Sequence, residues 1–514
     1  MQWWRMAEFD TRAMVNAASA STAPRPQSEP RRLSAAALAI ASQQVSPAFS
    51  PIVLAGIVRA LEAVLIVAVG AAIYATYLVP VEGVEWHYPA FIAAIALLSV
   101  VAFQAVDIYH VQAFRGGGQH VRLTLAWSMV FLVVASATFL AKLGDDVSRL
   151  WLGLYFVAGL ATLAAFRGGL FLFVRHWTRQ GRLERRAVVV GAGQSGEELI
   201  DAIEAQRDSD VKIVGVFDDR GDDRTPLVCA GHIKLGTVDD LVEFARRTRV
   251  DLVLFTLPIT AESRILQMLK KLWVLPVDIR LSAHTNKLRF RPRSYSYIGN
   301  LPVLDVFDRP ITDWDVVMKW LFDKLVGGLA LLLLLPVMAA VALAVKLDSK
   351  GPVLFRQKRY GFNNDLIEVF KFRSMYVDQS DAAAARLVTK GDPRVTRVGR
   401  FIRKTSLDEL PQLFNVVFKG NLSLVGPRPH AVLAKAEDRL YDEAVDGYFA
   451  RHRVKPGITG WAQINGWRGE TDSQEKIQRR VEHDLYYIEN WSVLFDLYIL
   501  TATPFALMKT ENAY

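Results

Sequence analysis

The chain has almost no cysteine: Cys229 is the single one among 514 residues. One cysteine excludes any intrachain disulfide and any cysteine-rich zinc site, and it permits a reducing cytoplasm. The first thirty residues also lack an apolar core behind a basic start, which indicates that they are not a signal peptide. The sequence therefore predicts neither crosslinks nor an N-terminal export signal.

Apolar residues, by contrast, make up 52% of the chain, and the mean hydropathy is +0.19. This composition is typical of membrane segments embedded in otherwise soluble sequence, and the length suggests about three domains at ~150 residues each. The net charge is +9. Because the cations cluster beside apolar segments, they fit an anionic membrane face and phosphorylated substrates better than nucleic acid.

Residues 1–48 are rich in Ala, Ser, Pro and Arg. They predict a disordered tail, because such a composition buries too little apolar surface to fold alone. A membrane domain of four transmembrane helices is predicted next, at 49–176, since each of its apolar runs reaches the ~20 residues that cross a bilayer. The runs lie at 57–80, 88–106, 123–141 and 150–174.

The charges that flank these runs are uneven. The first loop carries Glu82 and Glu85 and no Lys or Arg, whereas the segment after the fourth run is rich in arginine. The positive-inside rule then places the N-terminus and everything after residue 175 in the cytoplasm. Arg59, Glu62 and Arg167 fall in or near the spans, and we expect them to snorkel towards an interface, with a functional ion pair as the alternative.

Alternating strand and helix patterns over 183–305 predict a Rossmann-like cytoplasmic domain. Gly191, Gly193 and Gly196 form G-x-G-x-x-G after its first strand, and Asp218 ends its second strand where a ribose-binding acid would lie. These residues form a candidate nucleotide loop. The Tyr-x-x-x-Lys pair of short-chain nicotinamide-dependent sugar enzymes occurs nowhere in the chain. A ligand-sensing or structural role is therefore favoured, and nucleotide binding stays open.

Two adjacent carboxylates, Asp408 and Glu409, follow a run of cations. The cations are Arg394, Arg397, Arg400, Arg403 and Lys404, and Arg428 follows between two prolines. We expect both carboxylates to stay ionised beside so much positive charge. One could attack phosphorus while its neighbour holds a divalent metal and the arginines bind phosphate oxygens. The alternative is a solvated basic helix with ordinary ion pairs.

A fifth apolar run extends from Leu325 to Val345, which is long enough to span a bilayer. Both of its flanks are basic, and Pro336 lies in the middle, where proline breaks or bends a helix. Equal positive flanks with a central breaker predict a re-entrant membrane element at 321–347, a pair of helices divided at Pro336 that enters and leaves by the cytoplasmic face. The alternative is a fifth spanning helix that is kinked at the proline.

Six motifs occur in order between Lys319 and the C-terminus: K-x-x-F-D, GPVLFRQKRYG, KFRSM, RKTSLDELPQLFNV, SLVGPRP and KPGITGWAQ. With them, the segment 315–514 resembles the bacterial polyprenyl-phosphate hexose-1-phosphate transferases, which are monotopic phosphoglycosyl transferases. The four preceding spans and the Rossmann-like domain make the chain similar to the large members of that family, which begin exopolysaccharide, capsule or O-antigen repeat units.

The resemblance implies transfer of a hexose-1-phosphate from a UDP-sugar to undecaprenyl phosphate with release of UMP. It places the protein in the bacterial inner membrane with the catalytic domain in the cytoplasm. Asp408 matches the family's nucleophile, which forms a covalent sugar-phosphate adduct, and Glu409 matches the partner that binds Mg²⁺. The substrate- or phosphate-binding residues implied by the motifs are Lys371, Arg373, Arg403, Arg428 and Arg468.

The chain departs from the family at the re-entrant break, where Leu335 rather than serine precedes Pro336. Glucose is the first choice of sugar over galactose, by overall similarity to the subgroup that loads glucose-1-phosphate. A homodimer is left open, and no nucleic acid partner is expected. Two rival interpretations remain: a membrane-anchored NAD-dependent nucleotide-sugar dehydratase or epimerase, and a non-catalytic polysaccharide assembly scaffold.

Overall fold

The structure, a computed structural model, describes most of the chain in two compact units. One unit comprises Gln44–Arg185 with Arg207–Lys212, and the other contains the rest. The described residues are 33–109, 113–114, 119–143, 147–206, 209–221, 227–257, 262–282, 295–298, 301–377, 392–430, 435–436, 439–440, 445, 447–467 and 473–509. Residues 1–32 of the predicted tail lie outside them, and so does Arg468.

The last part of the predicted disordered tail is helical. Helix α1 (Ala35–Ala41) begins after Ser34, whose hydroxyl accepts from the Ala37 amide at 3.1 Å and donates to the Leu235 carbonyl at 2.8 Å. Leu33 and Ala37 are buried in the core of the α/β domain. The prediction of disorder is wrong for these residues, because the α/β domain of the same chain supplies the apolar surface that the segment lacks.

Four apolar helices form the first unit: α2 (Pro51–Glu82), α3 (His87–Ala105), α4 (Gln119–Leu140) and α5 (Arg149–Arg179). Each is long and apolar enough to cross a membrane. They share one core, in which Trp127 donates its Nε1 proton to the Phe156 carbonyl at 3.0 Å. Gly159 permits this packing, because a Cβ there would lie 2.5 Å from the Trp127 ring.

An ion pair is buried between the first and fourth of these helices. Arg167 donates from Nε to Glu62 Oε1 at 2.5 Å and from Nη2 to Oε2 at 2.9 Å. Its Nη1 donates to the Ile108 carbonyl at 3.1 Å and to Gln119 Oε1 at 3.3 Å. The two side chains are 1% and 0% exposed, so the expectation of snorkelling is wrong for them. The bidentate geometry compensates the burial of both charges.

The α/β domain carries strands β1 (Arg185–Val190), β2 (Val211–Phe217), β3 (Val228–Cys229), β4 (His232–Gly236), β5 (Leu252–Phe255), β6 (Asp278–Ser282), β7 (Tyr295–Ile298) and β8 (Leu301–Phe307). Within the described residues they form one sheet in the order β3-β4-β2-β1-β5-β6-β8-β7. The pairs β2/β4, β1/β5 and β5/β6 are parallel, and the pairs at either edge are antiparallel. All four β5 residues are buried, as expected of a strand covered on both faces. The intervening helices are α6 (Gln194–Glu204), α7 (Val238–Arg247) and α8 (Glu262–Leu272).

The C-terminal domain begins with α9 (Asp313–Asp348). It continues with β9 (Leu354–Tyr360), β10 (Leu366–Phe372), α10 (Arg397–Lys404), β11 (Ser423–Val425), β12 (Lys435–Ala436), β13 (Arg439–Leu440), β14 (Gly457–Thr459), α11 (Gln474–Glu489) and α12 (Val493–Lys509). β9 and β10 form an antiparallel hairpin, and β11 pairs in parallel with β14. Helix α9 is the fifth helix in the described part of the chain that is long and apolar enough to cross a membrane.

Helix α9 runs through Pro336 without interruption, so the predicted division into two helices is not observed. A proline inside a long helix removes one hydrogen bond and bends the helix while the bonds on either side persist. Both halves of α9 pack on the same domain. From the first half, Lys324 donates to the Val416 carbonyl at 3.0 Å, and in the second half Val345 is buried in a cluster with Phe372.

Candidate active site

The two adjacent carboxylates lie in a tight turn rather than along a helix. Helix α10 is capped by Thr396, whose hydroxyl accepts from the Gly399 amide at 2.9 Å, and it ends at Lys404. Ser406 then adopts a left-handed conformation with φ 59°, and a 3₁₀ turn follows at Leu407–Glu409. A non-glycine residue in that region stores backbone strain, of order 1–3 kcal/mol, which is typical of functional turns.

Glu409 is held between two cations. Its Oε1 accepts from Lys371 Nζ at 2.8 Å and from Arg428 Nη2 at 2.6 Å, and its Oε2 accepts from Arg428 Nη1 at 3.3 Å. The Glu409 side chain is 11% exposed, so solvent screens these contacts weakly. The structure therefore brings together three of the residues that the sequence assigned to the site.

The environment shifts the pKa values of the two carboxyl groups in opposite directions. Burial raises the pKa of Asp408 above its usual value, and the negative charge of Glu409 adds to this, against the opposing charges of Lys371 and Arg403. Burial alone would also raise the pKa of Glu409, but the charges and hydrogen bonds of Arg428 and Lys371 outweigh it and hold that pKa well below its usual value. The lowered pKa of Glu409 agrees with the expectation that it stays ionised, whereas at Asp408 the cations do not outweigh the effect of burial on the pKa.

Two sets of contacts to the backbone fix the segments that carry the residues of the site. Asn415 accepts from the Phe370 amide at 3.0 Å and donates to the Glu368 carbonyl at 2.7 Å, which ties the segment after the dyad to the strand that carries Lys371. The SLVGPRP and KPGITG motifs meet where Gly426 and Gly457 touch, because a Cβ on Gly457 would lie 2.1 Å from the Gly426 nitrogen. This crossing fixes the loop that presents Arg428.

Arg359 is a further cation near the dyad that was not predicted as a site residue, although it lies within the GPVLFRQKRYG motif. Its Nη1 donates to the Pro429 carbonyl at 2.5 Å and its Nη2 to Gln357 Oε1 at 2.7 Å. Burial, together with the charge of Arg428, lowers the pKa of Arg359 to about 10. The Arg359 guanidinium is thus held by neutral acceptors beside residues 426–429, the arginine loop that carries Arg428. Its charge is therefore available to an anionic ligand.

Arg373 does not belong to the site. It is 4% exposed and donates to the carbonyls of Ser349 and Lys350, each at 2.6 Å, and to the Val345 carbonyl at 3.3 Å. Its guanidinium therefore satisfies the free carbonyls at the C-terminal end of α9, a role for which five donors in a fixed fork are suited. This corrects the prediction that Arg373 binds phosphate.

The cations of the predicted run have different surroundings in the structure. Arg394 pairs with Asp392 at 2.6 Å, so its charge is already matched. Arg403 acts electrostatically on Asp408 and remains a candidate phosphate-binding residue. Arg468 lies outside the described residues.

The donor set around the dyad is compatible with Mg²⁺. Within the described residues no group of three or more His, Cys, Asp or Glu side chains could hold a metal ion. Mg²⁺ nevertheless binds in many sites through one or two carboxylates, substrate phosphates and water. Glu409 Oε2 accepts the longer bond from Arg428, so this oxygen fits such a minimal set, with Asp408 next to it in sequence.

The candidate nucleotide loop is closed by its own contacts. Gly191 has φ +112°, and a Cβ on Gly196 would lie 2.4 Å from the Gly191 carbonyl oxygen, so both positions require glycine. Asp218 accepts from the Ala192 amide at 2.8 Å and from Arg220 Nη2 at 2.7 Å. Burial opposes ionisation, but the hydrogen bonds from Arg220 and Ala192 lower the pKa of Asp218. The predicted ribose-binding acid therefore already has internal partners.

Two family models match the chain. The model described as "Bacterial sugar transferase" matches residues 314–510, and the model described as "CoA-binding domain" matches residues 104–283. The first match covers the dyad, Lys371 and Arg428. The second extends from the membrane helices into the α/β domain.

Curated proteins are similar over most of the chain. A "UDP-glucose:undecaprenyl-phosphate glucose-1-phosphate transferase" of Xanthomonas campestris pv. campestris is 36% identical over 83% of this chain and 88% of that protein. An "Undecaprenyl-phosphate glucose phosphotransferase" of Komagataeibacter xylinus is 41% identical over 70% of this chain and 66% of that protein. An "Exopolysaccharide production protein PSS" of Rhizobium leguminosarum bv. phaseoli is 48% identical over 37% of this chain and 94% of that protein. The chain belongs to the bacterial sugar transferases, the polyprenyl-phosphate hexose-1-phosphate transferase family that its C-terminal motifs predicted.

Proposed function

We propose that this protein transfers a hexose-1-phosphate, with glucose-1-phosphate as the first choice, from a UDP-sugar to undecaprenyl phosphate and releases UMP. The observation that supports this most directly is the turn at Asp408 and Glu409, where Asp408 is half-buried and the buried Glu409 is held by Lys371 and Arg428. The names of two relatives specify undecaprenyl phosphate and glucose, and one of these names also specifies UDP-glucose.

Two displacements at one phosphorus atom would accomplish the transfer. First, an Asp408 oxygen attacks the phosphorus that carries the sugar, the bond from that phosphorus to the bridging oxygen breaks, and UMP leaves with the electron pair. An oxygen of undecaprenyl phosphate then attacks the same phosphorus, and Asp408 leaves as a free carboxylate. A carboxylate of raised pKa is a better nucleophile once ionised, and covalent catalysis divides one difficult step into two.

The cations offset the repulsion between the anionic nucleophile and the anionic diphosphate. Arg428 and Lys371 already bind Glu409, so the site holds positive charge in a region with little solvent. Arg403 and Arg359 add further charge within electrostatic range of Asp408. Glu409, with Asp408 beside it, would hold Mg²⁺, which when bound neutralises phosphate charge as a Lewis acid.

The proposal places the catalytic domain on the cytoplasmic side of the bacterial inner membrane, where UDP-sugars occur. The packing of both halves of α9 on one domain supports a re-entrant helix bent at Pro336. A chain of this family with four preceding apolar helices, arranged as a four-helix bundle, fits the first step of exopolysaccharide repeat-unit assembly. In this proposal the Rossmann-like domain has a ligand-sensing or structural role.

UMP release tests this function. Purified protein in detergent or nanodiscs is incubated with undecaprenyl phosphate and Mg²⁺, with UDP-glucose in one arm and UDP-galactose in the other. We expect many equivalents of UMP per protein only when both the UDP-sugar and undecaprenyl phosphate are present, with UDP-glucose the faster donor. Without the lipid, a single equivalent of UMP and a hexose-phosphate mass on Asp408 are expected. The absence of UMP with either sugar contradicts the proposal.

A further inference from the structure

A short 3₁₀ helix at Tyr448–Arg453 lies between the arginine loop and the α/β domain. In a 3₁₀ helix, side chains three positions apart lie one above the other. Tyr448 and Arg451 therefore form one row, and Phe449 and His452 form a second row. The two rows contact different parts of the protein.

The first row reaches the loop that carries Arg428. Arg451 is fully buried and donates from Nε and Nη2 to Asp484 Oδ2, at 3.0 and 2.6 Å. Its Nη2 also donates to the Arg428 carbonyl at 2.7 Å, and its Nη1 lies 2.7 Å from His430 Nδ1. One guanidinium thus connects helix α11 to the backbone of the residue that holds Glu409.

The charge of Arg451 is compensated where it stands. Asp484 is 2% exposed, so the pair is removed from solvent, and such a pair is retained only if most of its hydrogen bonds are made. A lysine at position 451 would keep a charge beside Asp484. It would have to reach Asp484 and the Arg428 carbonyl from a single nitrogen, whereas the arginine bonds leave from Nε and Nη2 of a rigid planar fork.

The second row contacts the α/β domain. The Arg246 guanidinium lies 5.0 Å from the centre of the Phe449 ring, and the Asn364 amide bridges His452 and Arg246. At the start of the helix, Gly447 has φ +72°, and a Cβ there would lie 2.2 Å from the Trp273 ring. The α/β domain therefore packs closely on the same short helix that carries Arg451.

We propose that Arg451 is a positioning residue that holds Arg428 at Glu409, and that the α/β domain supports it by docking on the second row of the same helix through Arg246 and Trp273. The proposal rests on the proposed function, because Arg428 is the group through which it acts on the diphosphate. It gives the α/β domain a role in the active site that requires no bound nucleotide.

Substrate binding tests the link between Arg451 and Arg428. The affinity for UDP-glucose is measured by calorimetry in an Asp408→Asn background, in which no turnover occurs, for Arg451→Lys, Arg428→Gln and the double variant. We expect Arg451→Lys to weaken binding about tenfold when Arg428 is present and less than about twofold when it is absent, because residues that act as a unit are non-additive. Thermal unfolding is recorded for each variant as a control for folding.

Two outcomes would overturn this assignment: equal losses in both backgrounds, or unchanged affinity for a folded Arg451→Lys variant. A purely structural role of Arg451 would give equal losses. If the Asp408→Asn protein with all other residues intact does not bind UDP-glucose, it is the proposed function that fails rather than the positioning role.

The support by the α/β domain is tested with Trp273→Ala and Arg246→Gln. We expect each to reduce the rate of UMP release about threefold, and to have no further effect in the Arg451→Lys background, since they act through the same helix. Arg247→Ala is the matched control, because Arg247 is an exposed neighbour on α7 that pairs with Glu243 on the same helix at 2.6 Å. Full activity of both docking variants, or losses that multiply with Arg451→Lys, contradicts the coupling.

Discussion

Removal of the Glu409 charge should move the pH dependence of the first chemical step. In the proposed reaction Asp408 attacks as a carboxylate, and because its pKa is raised, the rate should fall as the pH drops through that raised value. In Glu409→Gln the like charge disappears, and Lys371 and Arg428 lose the anion that they bind. Each change stabilises the Asp408 carboxylate, so its pKa should fall and the acid limb should shift to lower pH.

The size of this shift follows from Coulomb's law. Glu409 adjoins Asp408 in the same turn and its side chain is 11% exposed, so solvent screens its negative charge weakly. Because Glu409 is partly neutralised by its two partners, the shift in the pKa of Asp408 is smaller than an unpaired charge at the same distance would cause. The maximal rate should fall at the same time, because the site loses a group that orders Arg428.

The assay is the single-turnover release of UMP without undecaprenyl phosphate, followed between about pH 4 and pH 8 at saturating Mg²⁺, so that the charge of the metal is the same in both proteins. Omission of the lipid removes the titration of its phosphate from the profile. Glu368→Gln is the matched control, since this glutamate is partly exposed and pairs with Lys419 at 3.7 Å, away from the dyad. An acid limb that stays in place in Glu409→Gln, or that moves to higher pH, would refute the electrostatic account of Asp408.

Three further predictions concern the same site. Asp408→Asn should reduce UMP release by more than ~10³-fold in a protein that still inserts and folds, and activity within tenfold of the unchanged protein would exclude Asp408 as the nucleophile. Glu409→Gln should be partly rescued by higher Mg²⁺, and activity that is indifferent to a chelator would show that Glu409 binds no metal. In a Cys229→Ser background, cysteines placed before Lys319 and after Lys350 should react only with cytoplasmic thiol reagents, and a periplasmic label after Lys350 would show that α9 spans the membrane.

Much of the site could be predicted from order along the chain. The six motifs led to Asp408, Glu409, Lys371 and Arg428, and the last three are in contact in the structure. The apolar helices and the buried strands could also be predicted, because their patterns depend on local composition. These are features in which neighbouring residues carry the information.

What could not be predicted depends on burial and on distant partners. Arg373 is an arginine in a motif of the transferase domain, which favoured a role in phosphate binding. In the structure the end of α9 lies against it and supplies carbonyl acceptors. The raised pKa of Asp408 requires knowledge of how deeply the turn is covered, which proximity to cations in sequence does not give. Arg451 pairs with Asp484, 33 residues away, so no local pattern identifies it.

The pair of Glu62 and Arg167 also has a consequence for how the protein is made. The two residues are 105 positions apart, so the first membrane helix is synthesised well before the fourth. Until the fourth helix arrives, Glu62 has no cationic partner from that helix, and an isolated charge within a membrane helix is costly. The pair therefore favours association of the first helix with the fourth over separate placement of the two helices in a bilayer.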